Sequence, residues 1–494
     1  MNRRDFVKVM AGTLSLCGCN DMISAVSKQF GQGIPKTLTP AQQSTLDKDF
    51  HFLSRTTYGL WPGDLEKVKN MGRKAWLEKQ LQPQNINDTL CDLRARRFET
   101  IHHHFSTCYE YKKKTLRSEM VKHTLLRAIY SRRQLFEVMV GFWSDHFNIH
   151  IEKADCIYLK ATDDREVIRK HALGNFRDLI RASAISPAML VYLDGKSNKK
   201  QKPQDIPNEN YARELLELHT LGVYGGYTQK DVFEVARALT GWRYHRRKRD
   251  VFFNVHLHDQ GQKTILGHTL PANGGKEDLE RVLDIVCNHP STASYICYKL
   301  AKRFVAPKPP KQLVTNMSKV FSDTKGDIKA VLRYLFLSEE FYNPTFFAQK
   351  FKRPFHFIVS SLRFLAADTY ARRPQINYLE RMGQVPFQYP TPDGYPDEMQ
   401  PWLGTLLWRW NFAHAVAANK VSGTRIHLRK LLKSLNINDK EQVTKVIAHF
   451  IGRLPTPQEQ QIFAEYMNDK DMKKATNQQE LLGLILCSPA FQRY

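Results

Sequence analysis

Residues 118–150 read SEMVKHTLLRAIYSRRQLFEVMVGFWSDHFNIH. Met120, Leu125, Ile129, Leu135, Val138 and Phe142 recur near helical spacing, which fits one long helix or two stacked ones. The same periodicity returns outward along the chain, at 165–185, 207–221, 228–241, 276–288, 291–304, 326–338, 353–367, 400–419 and 441–452. Thr228 and Asp231 have the spacing of a capping box at the head of the third of these. The fold class expected is therefore mainly α, a multi-helix, bundle-like body.

One stretch departs from this pattern. Around 243–270 come Arg246-Arg247-Lys248-Arg249, Val251-Phe252-Phe253, a His258-Asp259-Gln260-Gly261 turn and Thr264-Ile265-Leu266. That is a β-hairpin or small sheet inserted in the helical body. Upstream, Thr39-Pro40 is expected to open a helix carrying Phe50, Leu53 and Tyr58, and Trp61-Pro62-Gly63-Asp64 to turn into another that ends near Leu81. Leu335-Phe336-Leu337-Ser338 with Phe341 echoes Ile485-Leu486-Cys487-Ser488 with Phe491, a helix end whose serine caps the next turn.

The chain opens Asn2-Arg3-Arg4-Asp5-Phe6-Val7-Lys8, followed by a short apolar run from Val9 to Leu16. The paired arginines resemble a twin-arginine export signal, and the apolar run is too short to span a bilayer. Leu16-Cys17-Gly18-Cys19 looks like a lipoprotein box with Cys19 as the acylated residue; cleavage near Ser24-Ala25 is the other reading. The organisation expected is a signal over 1–25, a tether over 26–40, and a body over 41–494 carrying the β insertion. The compartment expected is the periplasm or cell envelope, with or without a lipid anchor.

Composition agrees with a globular body: 494 residues, 42% hydrophobic and 11% aromatic. Net charge is +25, or +23 in a chain beginning at Cys19. In the cytoplasm such an excess suggests nucleic acid; outside it, the partners expected are anionic lipid or glycan surfaces, or none if the excess is solvated lysine. The six later cysteines show no zinc-ribbon or thioredoxin spacing, although Cys287 and Cys297 can meet across a helical hairpin. No phosphate loop, dinucleotide fingerprint, serine elbow or His-Glu-x-x-His helix is present.

The densest polar cluster is Asn208 to Gly222. On a helix, Asn210, Glu214 and Glu217 share one stripe, and Arg213 reaches Glu217 one turn on. His146 lies with Asp145 among Phe142, Trp143 and Phe147, and is the best partner for that stripe. A divalent metal would take Glu214 and Glu217 with His146 or His219, while Asp145, Arg213 or Lys263 moved protons or stabilised charge. His258 and Asp259 with Lys263 form a further acid–imidazole–amine cluster. An ordinary amphipathic helix and a core histidine account for the same residues without chemistry.

Taken together, several motifs resemble one bacterial family. They are His51-Phe52-Leu53-Ser54-Arg55-Thr56-Thr57-Tyr58-Gly59, Phe142 to Phe147, His171 to Leu179, Asn208 to Gln229, Ala236 to Trp242, His258-Asp259 with Lys263 and Gly267, and Pro392-Asp393-Gly394-Tyr395-Pro396. The family is domain of unknown function 1800, and the resemblance runs from about residue 48 to the last residue. It implies export and a sulfatase-like exported protein as partner, and it leaves the reaction open. The basic balance and the Lys196–Pro207 loop depart from any assumption of a shared substrate. Two functions are expected: an exported, metal-assisted hydrolase, or a non-enzymatic envelope protein that binds an exported partner or an anionic glycan. Nucleic acid stands third.

Overall fold

Asp47 begins the helical body. Its Oδ1 accepts from the amides of Asp49 (2.7 Å) and Phe50 (3.0 Å), capping α1 (Lys48–Thr56), whose Phe50, Phe52 and Leu53 are buried. The computed structural model describes residues 32–245, 250–437 and 443–494. Residues 1–25 with Cys19, and Arg246 to Arg249, lie outside the described residues. Thr39 is not a helix cap: its amide donates to Glu66 Oε1 at 3.0 Å. The described part of the tether lies on the body, with Ile34 and Leu38 in the core and the Leu38 amide bonded to Ser434 O at 2.8 Å. The next expected helix is two, α2 (Asp64–Met71) and α3 (Arg73–Gln80), because Gly72 takes φ +84° between them.

The 118–150 pattern resolves into two helices, α4 (Lys113–Tyr130) and α5 (Gln134–His146). A buried charge knot ties them to the next helical segment. Glu137 on α5 accepts from Arg127 Nε on α4 at 2.8 Å and from both terminal nitrogens of Arg169 at 3.1 Å. Arg127 continues to Asp92 (2.9 Å) and Asp88 (3.3 Å), and Arg169 continues to Asp164 (2.8 Å). Arg169 closes a π turn, Asp164–Arg169, that prolongs α6 (Cys156–Asp163) before α7 (Phe176–Ala184).

Beyond this lies α8 (Asn210–Glu214), which runs into a second π turn, Leu215–Thr220. Then comes α9 (Gln229–Ala238), with the Thr228–Asp231 capping box formed as the sequence predicts. The β insertion is two hairpins: β1 (Trp242–His245) with β2 (Asp250–Phe253), and β3 (Lys263–Ile265) with β4 (His268–Leu270). Their registers pair Trp242 with Phe253 and Lys263 with Leu270. Five helices come next: α10 (Glu277–Asn288), α11 (Pro290–Phe304), α12 (Lys311–Asp323), α13 (Ile328–Leu337) and α14 (Pro354–Phe364). A third pair, β5 (Asp368–Thr369) with β6 (Thr424–Arg425), brackets α15 (Leu406–Ala417).

The chain closes with α16 (Val443–Ile451), α17 (Pro457–Met467) and α18 (Ala475–Cys487). Ser338 and Ser488 each accept from the amide three residues on, Phe341 and Phe491, so the two echoed helix ends share one cap. One buried apolar cluster runs from Ile34 to Phe491, and the class is mainly α with small two-stranded antiparallel sheets. Cys287 and Cys297 do not join; all six described cysteines are free. No helix among the described residues is long and apolar enough to cross a membrane.

Burial opposes the ionisation of Glu137, but Arg169 and Arg127 outweigh it and hold the carboxyl below its ordinary range. A depressed carboxyl stabilises the fold above its unfolded pKa, and that stabilisation is lost as pH falls through the folded value. Replacing Glu137 with Ala removes the carboxylate that two buried guanidiniums share, leaving Arg127 with Asp88 and Asp92 and Arg169 with Asp164. The expected cost is about 3–5 kcal/mol, read as a lowered urea midpoint at pH 7, with the gap to the parent protein narrowing in acid.

Candidate functional site

Gly141, Ser144 and Asp145 are spaced i, i+3 and i+4, so they form one stripe along the C-terminal end of α5, and Asn148 follows two residues past its end. The stripe faces a cavity of about 60 Å³, which Tyr58, Asp164, Arg169, Arg353, Gln384 and Tyr395 help to line. That is room for a few waters or one small polar group. A Cβ at Gly141 would stand 2.3 Å from the Tyr58 hydroxyl oxygen, so a side chain there requires the buried Tyr58 ring to shift.

Arg353, just before α14, donates to Asp145 Oδ2 at 2.8 Å and to Tyr395 O at 3.3 Å. Burial pushes the Asp145 carboxyl above its ordinary range, and Arg353 only partly offsets this. Two polar atoms at the cavity wall, Ser144 Oγ and Asp164 Oδ1, have no hydrogen-bond partner among the described residues. The π turn explains how Asp164 comes to be here. Residues five apart stack in such a turn, so Asp164 Oδ2 meets Arg169 Nε at 2.8 Å.

The Pro392-Asp393-Gly394-Tyr395-Pro396 segment lies across the end of α5. Asn148 Nδ2 donates to Tyr389 O (3.0 Å) and Thr391 O (2.7 Å), and the Tyr395 hydroxyl donates to Val385 O at 2.6 Å. Gly394 has φ +76°, and a Cβ there would sit 2.1 Å from Asp145 O. Next to it, Asp397 pairs with Lys350.

The other face of α5 is dry. His146, 2% exposed, has Nε2 3.1 Å from His219 O and Nδ1 2.9 Å from Lys299 Nζ. A carbonyl can only accept, so Nε2 carries the hydrogen and Nδ1 accepts from the lysine. Burial and then Lys299 push His146 well down; the same causes bring His219 to about 3, and burial brings Lys299 to about 8. Among the described residues neither ring nitrogen of His219 has a partner.

The expected metal ligands are not gathered. Glu214 and Glu217 are half-buried; Glu217 accepts from the Tyr227 hydroxyl at 3.5 Å, and burial followed by Glu217 raises the Glu214 carboxyl. Both nitrogens of His146 are engaged elsewhere, and among the described residues no three His, Cys, Asp or Glu side chains are set to hold an ion. Arg213 does not reach Glu217. It bonds Glu209 (3.0 Å) and Gln229 (2.9 Å), because the helix widens into a π turn at Leu215 and breaks the four-residue register. Asn210 Nδ2 donates to Asp194 Oδ2 at 3.1 Å.

His258, Asp259 and Lys263 do meet, around a residue that sequence reasoning missed. Asp278 Oδ2 lies 2.8 Å from Lys263 Nζ and 3.3 Å from His258 Nε2. Lys263, 1% exposed, also donates to the carbonyls of Asp259 (2.6 Å) and Gly261 (2.8 Å), while Arg237 grips Asp259 with two bonds at 2.9 and 3.0 Å. With three acceptors around its buried ammonium, Lys263 ties the second hairpin to α10. Also missed were Ser144, Asp164, Arg169, Arg353 and Lys299. The Gly141–Asp145 spacing was a readable signal for the first; the others depend on π turns and on contacts distant in sequence.

A family model described as Protein of unknown function (DUF1800) matches residues 51–493. No curated protein and no solved structure matches the chain.

Gly394→Ala should cost about 2–4 kcal/mol, from positive-φ strain plus the collision with Asp145 O. Gly383 has the same φ, +76°, but open space around it. Gly383→Ala should cost only about 1 kcal/mol, and thermal unfolding of the pair reads the difference.

Proposed function

The chain belongs to the DUF1800 family, and on that premise we propose that it is an exported protein of the bacterial envelope that hydrolyses a small polar linkage in the α5 cavity. One observation carries the reading: a single cavity brings a burial-raised carboxyl, Asp145, together with an unpaired hydroxyl and an unpaired carboxylate oxygen. Asp145 keeps its proton closer to neutrality than a free aspartate and serves as general acid to the leaving oxygen. The free oxygen of Asp164 takes the proton of the attacking water, and Ser144 Oγ holds the scissile group. Arg353 steadies the charge left on Asp145. The scheme uses these side chains alone; among the described residues no three His, Cys, Asp or Glu side chains are set to hold an ion.

Asp145→Asn should lower kcat about 100-fold or more with KM little changed, measured on whichever ester, phosphate or glycan substrate a screen of the purified protein returns. Undiminished turnover would remove Asp145 from the role. Export rests on Arg3 and Arg4; replacing both with Lys should leave the uncleaved chain in the cytoplasmic fraction, read by immunoblot, and palmitate labelling that depends on Cys19 would add a lipid anchor.

A second reading, a binding or assembly protein, has its own observation. Leu403, Leu407 and Trp410 are 42, 62 and 50% exposed at helical spacing along Gln400–Ala417. That apolar stripe suits an exported protein partner such as the sulfatase-like one, and the +25 charge suits an anionic glycan or lipid surface. Trp410→Glu abolishing a crosslink to an envelope protein, with the fold intact, would favour it.

A further inference from the structure

Lys352 and Arg353 are neighbours in sequence but point into different spaces. Arg353 lines the α5 cavity, whereas Lys352 lines a separate pocket of about 470 Å³ between α1, α14, α16 and the Pro489–Tyr494 segment. This volume lies in the range of small-molecule sites. Its walls are apolar and aromatic, with Phe50, Phe347, Phe364, Phe450 and Ile451 among them.

The charges around it do not balance. Lys352, 4% exposed, has its ammonium 3.5 Å from the centroid of the Phe491 ring and 5.6 Å from that of Phe364. It has no carboxylate partner and no hydrogen-bond acceptor among the described residues. Arg409 behind it bonds only neutral groups, the Lys352 and Gln492 oxygens and Thr405 Oγ1. Among the described residues, Arg55, 2% exposed and stacked on Tyr494, has no partner for Nε or Nη1. His356, also at the wall and 3% exposed, has none there for either ring nitrogen. The acid at the pocket, Glu459, is held by both arms of Arg453 at 2.7 and 2.9 Å. Buried cations are costly without a counter-charge. Burial, with Arg409 adding to it, pushes Lys352 well below its ordinary value, as expected of an ammonium with no counter-charge among the described residues.

We propose that this pocket binds a fatty-acid-like carboxylate, its chain against Phe50, Phe364 and Phe450 and its carboxylate on Lys352. A neutral apolar ligand would leave the ammonium unpaired, and a small inorganic anion would leave the aromatic walls unused. The inference is independent of the hydrolytic reading, since no α5 cavity residue takes part.

The test is calorimetric binding of octanoate and of octanol to the purified full chain, alone and as Lys352→Met and Ala490→Trp. Methionine retains the chain length among the rings, and its melting temperature checks the fold. The wild type should prefer octanoate to octanol by about tenfold or more. Lys352→Met should erase that preference while still binding octanol, and Ala490→Trp, which fills the pocket, should weaken both ligands. Octanoate bound no better than octanol, neither bound at millimolar concentration, or a preference that survives Lys352→Met would each overturn the proposal.

Discussion

A carboxylate cannot stay charged out of water unless cations come to it, and Glu137 makes two of them come. Arg127 arrives from the preceding helix and Arg169 from a segment thirty-two residues on, and each brings further acids with it. Satisfying that one group sets the angle between α4 and α5 and fixes where α6 must end. It also places Asp164 and Arg169 at the wall that α5 presents. The cavity is thus a by-product of solving a solvation problem, and its polarity comes from the same charges.

The helix that carries this knot separates two chemistries. Its Gly141–Asp145 stripe meets water-sized space, a guanidinium and unpaired oxygens; its Trp143–Phe147 side meets aromatic rings and a histidine held as one tautomer by Lys299 and a backbone carbonyl. Adjacent residues Asp145 and His146 therefore have opposite fates. Burial raises the acid and suppresses the charge of the imidazole, and of the two only the acid lines the cavity. The start of α14 divides space in the same way, with Arg353 turned to one compartment and Lys352 to the other.

Much of the fold could be read from apolar period alone, because the core is continuous and each helix owes it a face. The α4–α5 pair, the capped α9 and the hairpins at 242–270 stand close to where pattern and turn chemistry put them. The failures are physical and specific. Thr39-Pro40 has the form of a helix start, but Asp47 supplies the cap, and the intervening chain runs along the surface of the body. At the site, Asp145 was legible because it is polar among aromatics, whereas Arg353, Lys299 and Asp278 become neighbours only through tertiary packing. The Arg213–Glu217 pair did not form because four-residue geometry was assumed across the point where α8 widens into a π turn.

The two π turns carry a meaning that residue identity does not convey. Each is an α-helix holding one residue more than its turn requires, and an α-helix advances about 100° per residue. Removing a single position between Asp164 and Arg169 would let the helix rewind with the acid and the guanidinium four apart, still neighbours on one face. What the extra residue adds is the width of the turn itself. Chain length at that point therefore specifies the backbone of the cavity wall, while the side chains specify its charge.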